Sequence, residues 1–191
     1  MKLNNLFNAI KKKHFKTDFV RWKDKDNLLH AWDDRTIYMS NFITQNSTIL
    51  DVGCGNQILK RYLPTSCNYI PVDLYKRTSD TIVVNFNNKI KIKNLIPIDY
   101  TFFSGVLEYV NDLEYVIKYF KSHSQFIILS YTPVDSVPCL IKRKELGWIN
   151  HLDKNELLDL IKRCNFSVMI NEFKFNQMIV LAKKLSDIYR H

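Results

Sequence analysis

Two glycines mark the part of the sequence best suited to chemistry. Gly53 and Gly55 are two of only four glycines in 191 residues; they directly follow the apolar run 48–52 and precede a predicted helix. At such a turn the backbone bends sharply and approaches a ligand that side chains would obstruct. The helix behind the turn offers free N–H groups and the positive end of its dipole to an anionic group. The spacing therefore predicts a cofactor site at the carboxyl end of this strand.

Two kinds of cofactor site use glycines at this spacing. A dinucleotide site needs Gly-x-Gly-x-x-Gly, but Ile58 stands where a third glycine or an alanine should be. A nicotinamide enzyme also normally carries a second, substrate-binding domain, for which 191 residues leave little room. The other pattern is Asp-x-Gly-x-Gly, which Asp51, Gly53 and Gly55 match. In this pattern the chain resembles the class I S-adenosylmethionine-dependent methyltransferases, although Gln57 stands where many members have another glycine.

The order of residues along 30–183 agrees with that family. Asp73 ends the predicted second strand, where the family uses an acidic residue to accept the ribose hydroxyls. The resemblance places Leu74 and Phe86 against the adenine ring and Asn85 at its amino group. It also implies that Ser104 lies beneath the methionine part of the cofactor, and that Arg35 pairs with the methionine carboxylate. The cofactor implied is S-adenosylmethionine, and the predicted cofactor residues are Arg35, Asp51, Gly53, Cys54, Gly55, Asp73, Leu74, Asn85, Phe86 and Ser104.

The predicted catalytic residues are His151 and Tyr109. Methyl transfer depends mainly on aligning the acceptor atom with the methyl carbon, and the groups for this come from loops beyond the carboxyl ends of the strands. His151 is the best candidate for a base because an imidazole titrates near neutral pH, with packing before the helix at 154 as the alternative. Tyr109 stands where many members of the family have histidine after the fourth strand.

The segment 131–151 is expected to border the open cleft. Within it, the run Lys142-Arg143-Lys144 predicts a small, negatively charged acceptor, because arginine can grip a phosphate or carboxylate with two parallel hydrogen bonds. A solvated helix face is the alternative interpretation of this charge run. Packing of the helix before the first strand is likewise the alternative for Trp32. The predicted substrate-binding residues are Trp32, Tyr131, Arg143 and Trp148.

Two further features bear on the acceptor. The segment 147–152, Gly-Trp-Ile-Asn-His-Leu, is similar to small methyltransferases of bacterial surface-polysaccharide pathways, which implies a sugar- or phosphate-bearing acceptor. Residues 1–30 carry +5 of the net charge of +9, so a basic N-terminal arm could instead hold nucleic acid. The second candidate function is therefore a nucleic-acid methyltransferase, and a third is a non-catalytic, cofactor-binding partner subunit.

Alternating apolar runs and helical patterns predict the fold class. They indicate an α/β, Rossmann-like three-layer sandwich with a mainly parallel seven-stranded sheet and an antiparallel C-terminal hairpin. A single domain covers 1–191, with a basic arm or lid over 1–30, including a helix over 3–15, and a cofactor-binding core over 46–183. The predicted strands are 48–52, 69–72, 81–84, 100–103, 125–131, 168–173 and 178–182, and the main helices are 28–43, 57–63, 112–121 and 154–164.

The composition excludes several other classes of protein. The four cysteines lie far apart without a Cys-x-x-Cys pair, so neither a disulfide scaffold nor a metal site is expected. The N-terminal residues lack the apolar stretch of a signal peptide, and no apolar run approaches the length of a membrane span. We therefore expect a soluble, cytoplasmic protein with a small-molecule substrate, whose oligomeric state the sequence leaves open.

Overall fold

A seven-stranded mixed sheet forms the centre of the residues described by the computed structural model, which are 19–93 and 95–186. The strand order is β3-β2-β1-β4-β5-β7-β6. Strands β1 to β5 run parallel to one another, and β7 is antiparallel to both β5 and β6. The strands are β1 (Thr48–Val52), β2 (Asn68–Asp73), β3 (Ile82–Val83), β4 (Ile98–Phe103), β5 (Ser124–Tyr131), β6 (Phe166–Lys174) and β7 (Gln177–Lys184).

Apart from Asp51, the central strand β1 is apolar from Ile49 to Val52, and all four of these residues are buried, as expected for a strand covered on both faces. It pairs with β2 on one side and β4 on the other, so that Asp51 lies opposite Pro71 and Phe102. Because parallel strands end at the same edge of a sheet, the residues that follow β1, β2 and β4 are brought together there. This edge is where the glycine turn and Asp73 were predicted to meet.

The last two strands form the predicted antiparallel hairpin. The two residues between them, Phe175 and Asn176, both have left-handed backbone angles, with φ of 54° and 58°. Two left-handed residues give the type I′ turn, whose twist matches that of the flanking strands. A register shift between Val168 and Ile170 bends the outer strand β6.

Helices cover both faces of the sheet and complete three layers. One buried cluster packs α4 and α6 against the sheet through Val116, Phe120, Leu157 and Ile161, and a second cluster on the other side contains Met39 of α2 and Leu59 of α3. The predicted fold class is therefore confirmed. The α-helices are α1 (Phe19–Lys23), α2 (Asp33–Ser40), α3 (Ile58–Tyr62), α4 (Leu113–Lys121), α5 (Leu140–Glu145) and α6 (Lys154–Arg163).

The structure differs from the sequence interpretation mainly at the N-terminal end. Instead of one helix over 28–43, a short 3₁₀ turn (His30–Trp32) leads into α2, and α1 lies before it. The reason is local: Leu29 is extended, with ψ of 133°, so no continuous helix can pass through it. The predicted helix over 3–15 lies outside the described residues. Among the described helices, none is long and apolar enough to cross a membrane.

The start of α6 offers a test of local stability. The Asp153 side chain accepts from the backbone N–H of Glu156, and the Glu156 side chain accepts from the backbone N–H of Asp153, as a capping box requires. Asp153→Ala should therefore lower the free energy of unfolding by about 1 kcal/mol in urea titrations. Asp159→Ala on the same helix, which removes only an exposed ion pair with Lys162, is the control and should change it by less than about 0.5 kcal/mol. Equal losses in the two variants would contradict the role of the cap.

Candidate active site

An open cavity lies at the carboxyl edge of the sheet. The ends of β1, β2, β3 and β4 form its floor, and residues from the 22–36 part of the chain lie along its side. All ten predicted cofactor residues line this cavity: Arg35, Asp51, Gly53, Cys54, Gly55, Asp73, Leu74, Asn85, Phe86 and Ser104. The structure thus brings together side chains that are spread over 70 positions of the sequence.

The glycine turn after β1 is fixed by backbone bonds and by close packing. The N–H of Gly53 donates to the carbonyl oxygen of Val72 at 2.7 Å, which ties the turn to β2. Gly53 has a φ of +75°, and a Cβ there would lie 2.3 Å from Cγ2 of Val106 in the loop after β4. No side chain fits at this position. Cys54 lies between the two glycines. Burial raises the pKa of its thiol and so disfavours the reactive thiolate, which agrees with a space-filling role.

Gln57, the departure from the family pattern, takes the conformation that a glycine would take. Its φ is 55°, in the left-handed region. Its side-chain amide donates to the hydroxyl of Thr78 at 2.6 Å, which anchors the residue in that conformation. A side-chain hydrogen bond therefore offsets the strain that a third glycine would avoid.

Asp73 is a buried carboxylate held at the end of β2 by three groups. Its Oδ2 atom accepts from the backbone N–H of Gly55 at 2.9 Å, while Oδ1 accepts from the N–H of Tyr75 at 3.0 Å and pairs with Arg77 at 3.2 Å. A carboxylate offers about four lone-pair positions, so these partners orient Asp73 and leave it room to accept a further donor. The carboxylate is pre-positioned to accept a hydroxyl from a ligand in the cavity.

Asp51 is the second buried carboxylate, and its environment favours the protonated form. Burial raises its pKa to about 7; the hydroxyl of Tyr69, which donates to Oδ2 at 2.6 Å, opposes the shift, and the charge of Asp73 adds to it. Its proton is therefore released near neutral pH. A positively charged ligand group in the cavity would favour the ionised form.

Arg35 lies beyond the end of β4. Its Nε atom donates to Ser104 Oγ at 3.0 Å, and its Nη1 atom donates to the side-chain oxygen of Gln177 at 2.9 Å. Burial lowers the pKa of the guanidinium, and the carboxylate of Glu108 opposes that shift. Gly105 lets the guanidinium lie close to the backbone, since a Cβ there would be 2.6 Å from Nη2. Sequence and structure thus place a fixed cation on the β4 side of β1, opposite Asp73 on the β2 side.

Aromatic side chains lie along the mouth of the cavity. The predicted residues Trp32 and Tyr109 both line it, together with Trp22, which sequence reasoning missed. The ring of Trp22 contacts the edge of Tyr109, with centroids 4.8 Å apart, and lies 6.2 Å from that of Trp32. Arg77 was also missed; its Nη2 atom donates to the backbone oxygen of Trp22 at 2.7 Å.

The hydroxyl of Tyr109 is suited to donate a hydrogen bond rather than to act as a base. Burial and the nearby Glu108 raise its pKa to about 12, so its hydroxyl keeps its proton at neutral pH. The oxygen accepts a hydrogen bond from the indole N–H of Trp148 at 3.1 Å. This places the phenol at the cavity in a fixed orientation.

The other predicted catalytic and substrate residues lie behind the cavity, not in it. Arg143 is fully buried; its Nε atom donates to Nδ1 of His151 at 3.1 Å, and its Nη2 atom donates to the backbone oxygens of Thr132 and Asn150. Tyr131 is also fully buried. None of Tyr131, Arg143, Trp148 and His151 lines the cavity. We correct their placement: helix α5 turns Arg143 inward, while Lys142 and Lys144 remain exposed.

Residues 148–151 support the loop after β4, and we call them the bracket; Tyr131 and Arg143 are hydrogen-bonded to it. The N–H of Ile149 donates to the backbone oxygen of Glu108 at 2.9 Å, and the side chain of Asn150 donates to the carbonyls of Leu107 and Val110. Trp148 fixes Tyr109, and the hydroxyl of Tyr131 donates to Asn150. Burial, followed by the charge of Arg143, lowers the pKa of His151. The bracket therefore positions the loop after β4, which lines the cavity.

The described residues contain no group of three or more His, Cys, Asp or Glu side chains placed to hold a metal ion. Most of the predicted basic arm over 1–30 lies outside the described residues, which begin at 19. The part of it that is described lies beside the cavity, through Trp22, Leu28 and Leu29.

No protein-family model matches the chain, and no curated protein matches its sequence. Solved structures do match. The 1,6-didemethyltoxoflavin-N1-methyltransferase of Burkholderia thailandensis, solved with bound 1,6-didemethyltoxoflavin and S-adenosylhomocysteine, is 11% identical over 97% of this chain and 92% of its own, with a TM-score of 0.67. A candidate O-methyltransferase of Nostoc punctiforme is 12% identical over 95% of this chain and 67% of its own, with a TM-score of 0.69.

A third solved structure, the magnesium protoporphyrin IX methyltransferase of Synechocystis with bound S-adenosylhomocysteine, is 12% identical over 80% of this chain and 81% of its own, with a TM-score of 0.59. At such identities the similarity concerns the fold. The strand order and these neighbours together show that the chain has the fold of class I S-adenosylmethionine-dependent methyltransferases.

The raised pKa of Asp51 predicts how stability depends on pH. The native state holds this proton up to about pH 7, whereas an unfolded aspartate releases it near pH 4. The stability that the group contributes is therefore complete below about pH 4 and is lost as the pH rises towards 7. Between pH 5 and pH 8 the wild type should lose about 2–3 kcal/mol of unfolding free energy relative to Asp51→Asn, in which this group does not titrate.

Urea titrations of both proteins at the two pH values measure this difference, and the titrating groups that are remote from Asp51 cancel in the comparison. Parallel pH dependence of wild type and Asp51→Asn would show that the carboxyl has an ordinary pKa. A stability that rises with pH relative to the variant would contradict the burial argument outright.

Proposed function

We propose that this protein is an S-adenosylmethionine-dependent methyltransferase that acts on a small-molecule acceptor. The observation that carries the proposal is the placement of two opposite charges around one glycine turn. The carboxylate of Asp73 lies on the β2 side of Gly53, the guanidinium of Arg35 lies on the β4 side, and all three line one cavity. S-adenosylmethionine has matching groups: ribose hydroxyls that can donate, and at one end a carboxylate that accepts.

The residues present fit this cofactor. Asp73 would accept the ribose hydroxyls, Arg35 would pair with the methionine carboxylate, and Leu74 and Phe86 offer apolar surface for the adenine ring. The space is kept open by the turn at Gly53 and by Gly105, where a Cβ would meet Val106 and Arg35 respectively. When bound, the cofactor supplies an activated methyl group, which passes to a lone pair of the acceptor while sulfur keeps the electron pair of the broken bond.

The chain itself contributes alignment and the exclusion of water. Trp22 and Trp32 cover part of the mouth with apolar surface, which limits the access of water to the reacting atoms. Tyr109, held by Trp148, presents a protonated hydroxyl that can donate to the acceptor and fix its orientation. The acceptor's own proton leaves to solvent or to a cavity carboxylate such as that of Asp33.

The finer predictions about the acceptor lose their structural support. The predictions of an anionic acceptor and of a sugar- or phosphate-bearing acceptor both depended on residues 142–152. In the structure, the buried Arg143 and the side chains of the bracket make hydrogen bonds within the protein. The neighbours act on varied small molecules, among them 1,6-didemethyltoxoflavin. The nucleic-acid alternative depends on an arm that lies mostly outside the described residues, and it stays the second candidate function.

The ribose assignment can be tested by calorimetry with S-adenosylhomocysteine. Asp73→Asn keeps the shape of the side chain but removes its charge, and hydrogen bonds to charged groups are each worth about 1.5–3 kcal/mol. The dissociation constant should therefore rise at least about tenfold. Asp159→Asn, on the exposed face of α6, is the matched control and should leave it unchanged.

Unchanged affinity in a folded Asp73→Asn protein would refute the ribose assignment. Absence of S-adenosylhomocysteine binding to the wild type, or preferential binding of NAD, would refute the proposed function itself.

A further inference from the structure

Three aromatic side chains lie next to one another along the cavity, with their rings inclined to one another by 55° and 79°. We call Trp22, Trp32 and Tyr109 the aromatic wall. Trp22 lies in the middle, with its ring 4.8 Å from that of Tyr109 and 6.2 Å from that of Trp32. All three rings line the cavity and all are half-buried, so part of each ring is in contact with other side chains and part is exposed.

The aromatic wall is held from several directions. The backbone oxygen of Trp22 accepts from Arg77 at 2.7 Å, and the guanidinium of Arg21 lies over the Trp22 ring at 4.8 Å. Arg21 in turn donates to the carbonyl of Leu146, and Trp148 donates to Tyr109. These contacts order the rings before any acceptor binds, which lowers the entropic cost of stacking a flat molecule on them.

The charges around the cavity do not suit an anionic acceptor. Among the described residues that line it are two carboxylates, Asp33 and Asp73, two guanidinium groups, and Asp51, whose environment favours the protonated form. Arg77 pairs with Asp73, and Arg35 donates to Ser104 and Gln177. If Arg35 holds the methionine carboxylate, no cation of this set remains for a second anion, and an anionic acceptor would meet carboxylates.

We propose that the aromatic wall is the acceptor subsite, and that it takes an uncharged, planar aromatic or heteroaromatic ring bearing a hydroxyl or nitrogen to be methylated. This inference rests on the proposed function and adds the chemical class of the acceptor. Fixed aromatic rings offer faces on which a planar aromatic molecule can stack. The fixed hydroxyl of Tyr109 orients the polar group of the acceptor.

The test uses two probes of matched shape, 1-naphthol and 1-naphthoate, with glucose 6-phosphate as a non-planar anion. Each is titrated into the protein saturated with S-adenosylhomocysteine. Two of the three tryptophans in the chain belong to the aromatic wall, and the third, Trp148, contacts Tyr109, so intrinsic fluorescence and calorimetry both report binding. We expect 1-naphthol to bind at least about tenfold more tightly than 1-naphthoate, and glucose 6-phosphate not to bind.

Substitutions in the aromatic wall show whether 1-naphthol binds there. Trp22→Leu and Trp32→Leu keep apolar volume but remove the flat face, and each should weaken 1-naphthol binding about tenfold while binding of S-adenosylhomocysteine changes less than threefold. Phe173→Leu, an exposed aromatic residue on β6, is the control and should have no effect. Binding of S-adenosylhomocysteine shows in the same experiment that each variant is folded.

The outcomes separate this inference from the proposed function. If S-adenosylhomocysteine does not bind to the wild type, the proposed function fails. If it binds, but 1-naphthol binds no more tightly than 1-naphthoate or not at all, the acceptor class is overturned. Weakened binding of S-adenosylhomocysteine with unchanged 1-naphthol binding would assign the aromatic wall to the cofactor and would also overturn the inference.

Discussion

A single buried carboxylate ties the parts of the cavity together. Asp73 cannot remain buried without donors, and it obtains them from the turn at Gly55, from the chain after β2, and from Arg77. The Nη2 atom that pairs with Asp73 also donates to the backbone of Trp22. The glycine turn, the end of β2 and the aromatic mouth of the cavity are therefore positioned by one connected set of hydrogen bonds.

A second set of contacts holds the opposite side of the cavity. The loop after β4 contains only a short 3₁₀ turn (Leu107–Tyr109), and three of its carbonyl groups accept from Ile149 and Asn150 of the bracket. Arg143 binds the backbone at both ends of the segment that carries the bracket, through Thr132 and Asn150. The buried guanidinium of Arg143 thus stabilises the segment between β5 and α6. That segment supports the loop after β4, which carries Gly105 and Tyr109.

The sequence predicted the strands and ten residues that line the cavity because each depends on a local pattern. Asp51, Gly53 and Gly55 are fixed by spacing within one turn, and Asp73 by its place at the end of an apolar run. The orientation of Arg143 depends on which face of α5 packs inward, which a run of three cations cannot indicate. Trp22 was missed because its place is set by Arg77, 55 residues further on, through a backbone atom that carries no side-chain signal.

The most direct test of the account is a crystal structure of the protein with S-adenosylhomocysteine. The central claim is that Asp73 and Arg35 hold the two ends of one cofactor across the glycine turn. The account predicts the ribose hydroxyls within hydrogen-bond distance of Asp73 and the carboxylate of the ligand on Arg35, with the thioether near Gly105. A ligand bound elsewhere, or in this cavity with its adenine on the Arg35 side, would contradict it.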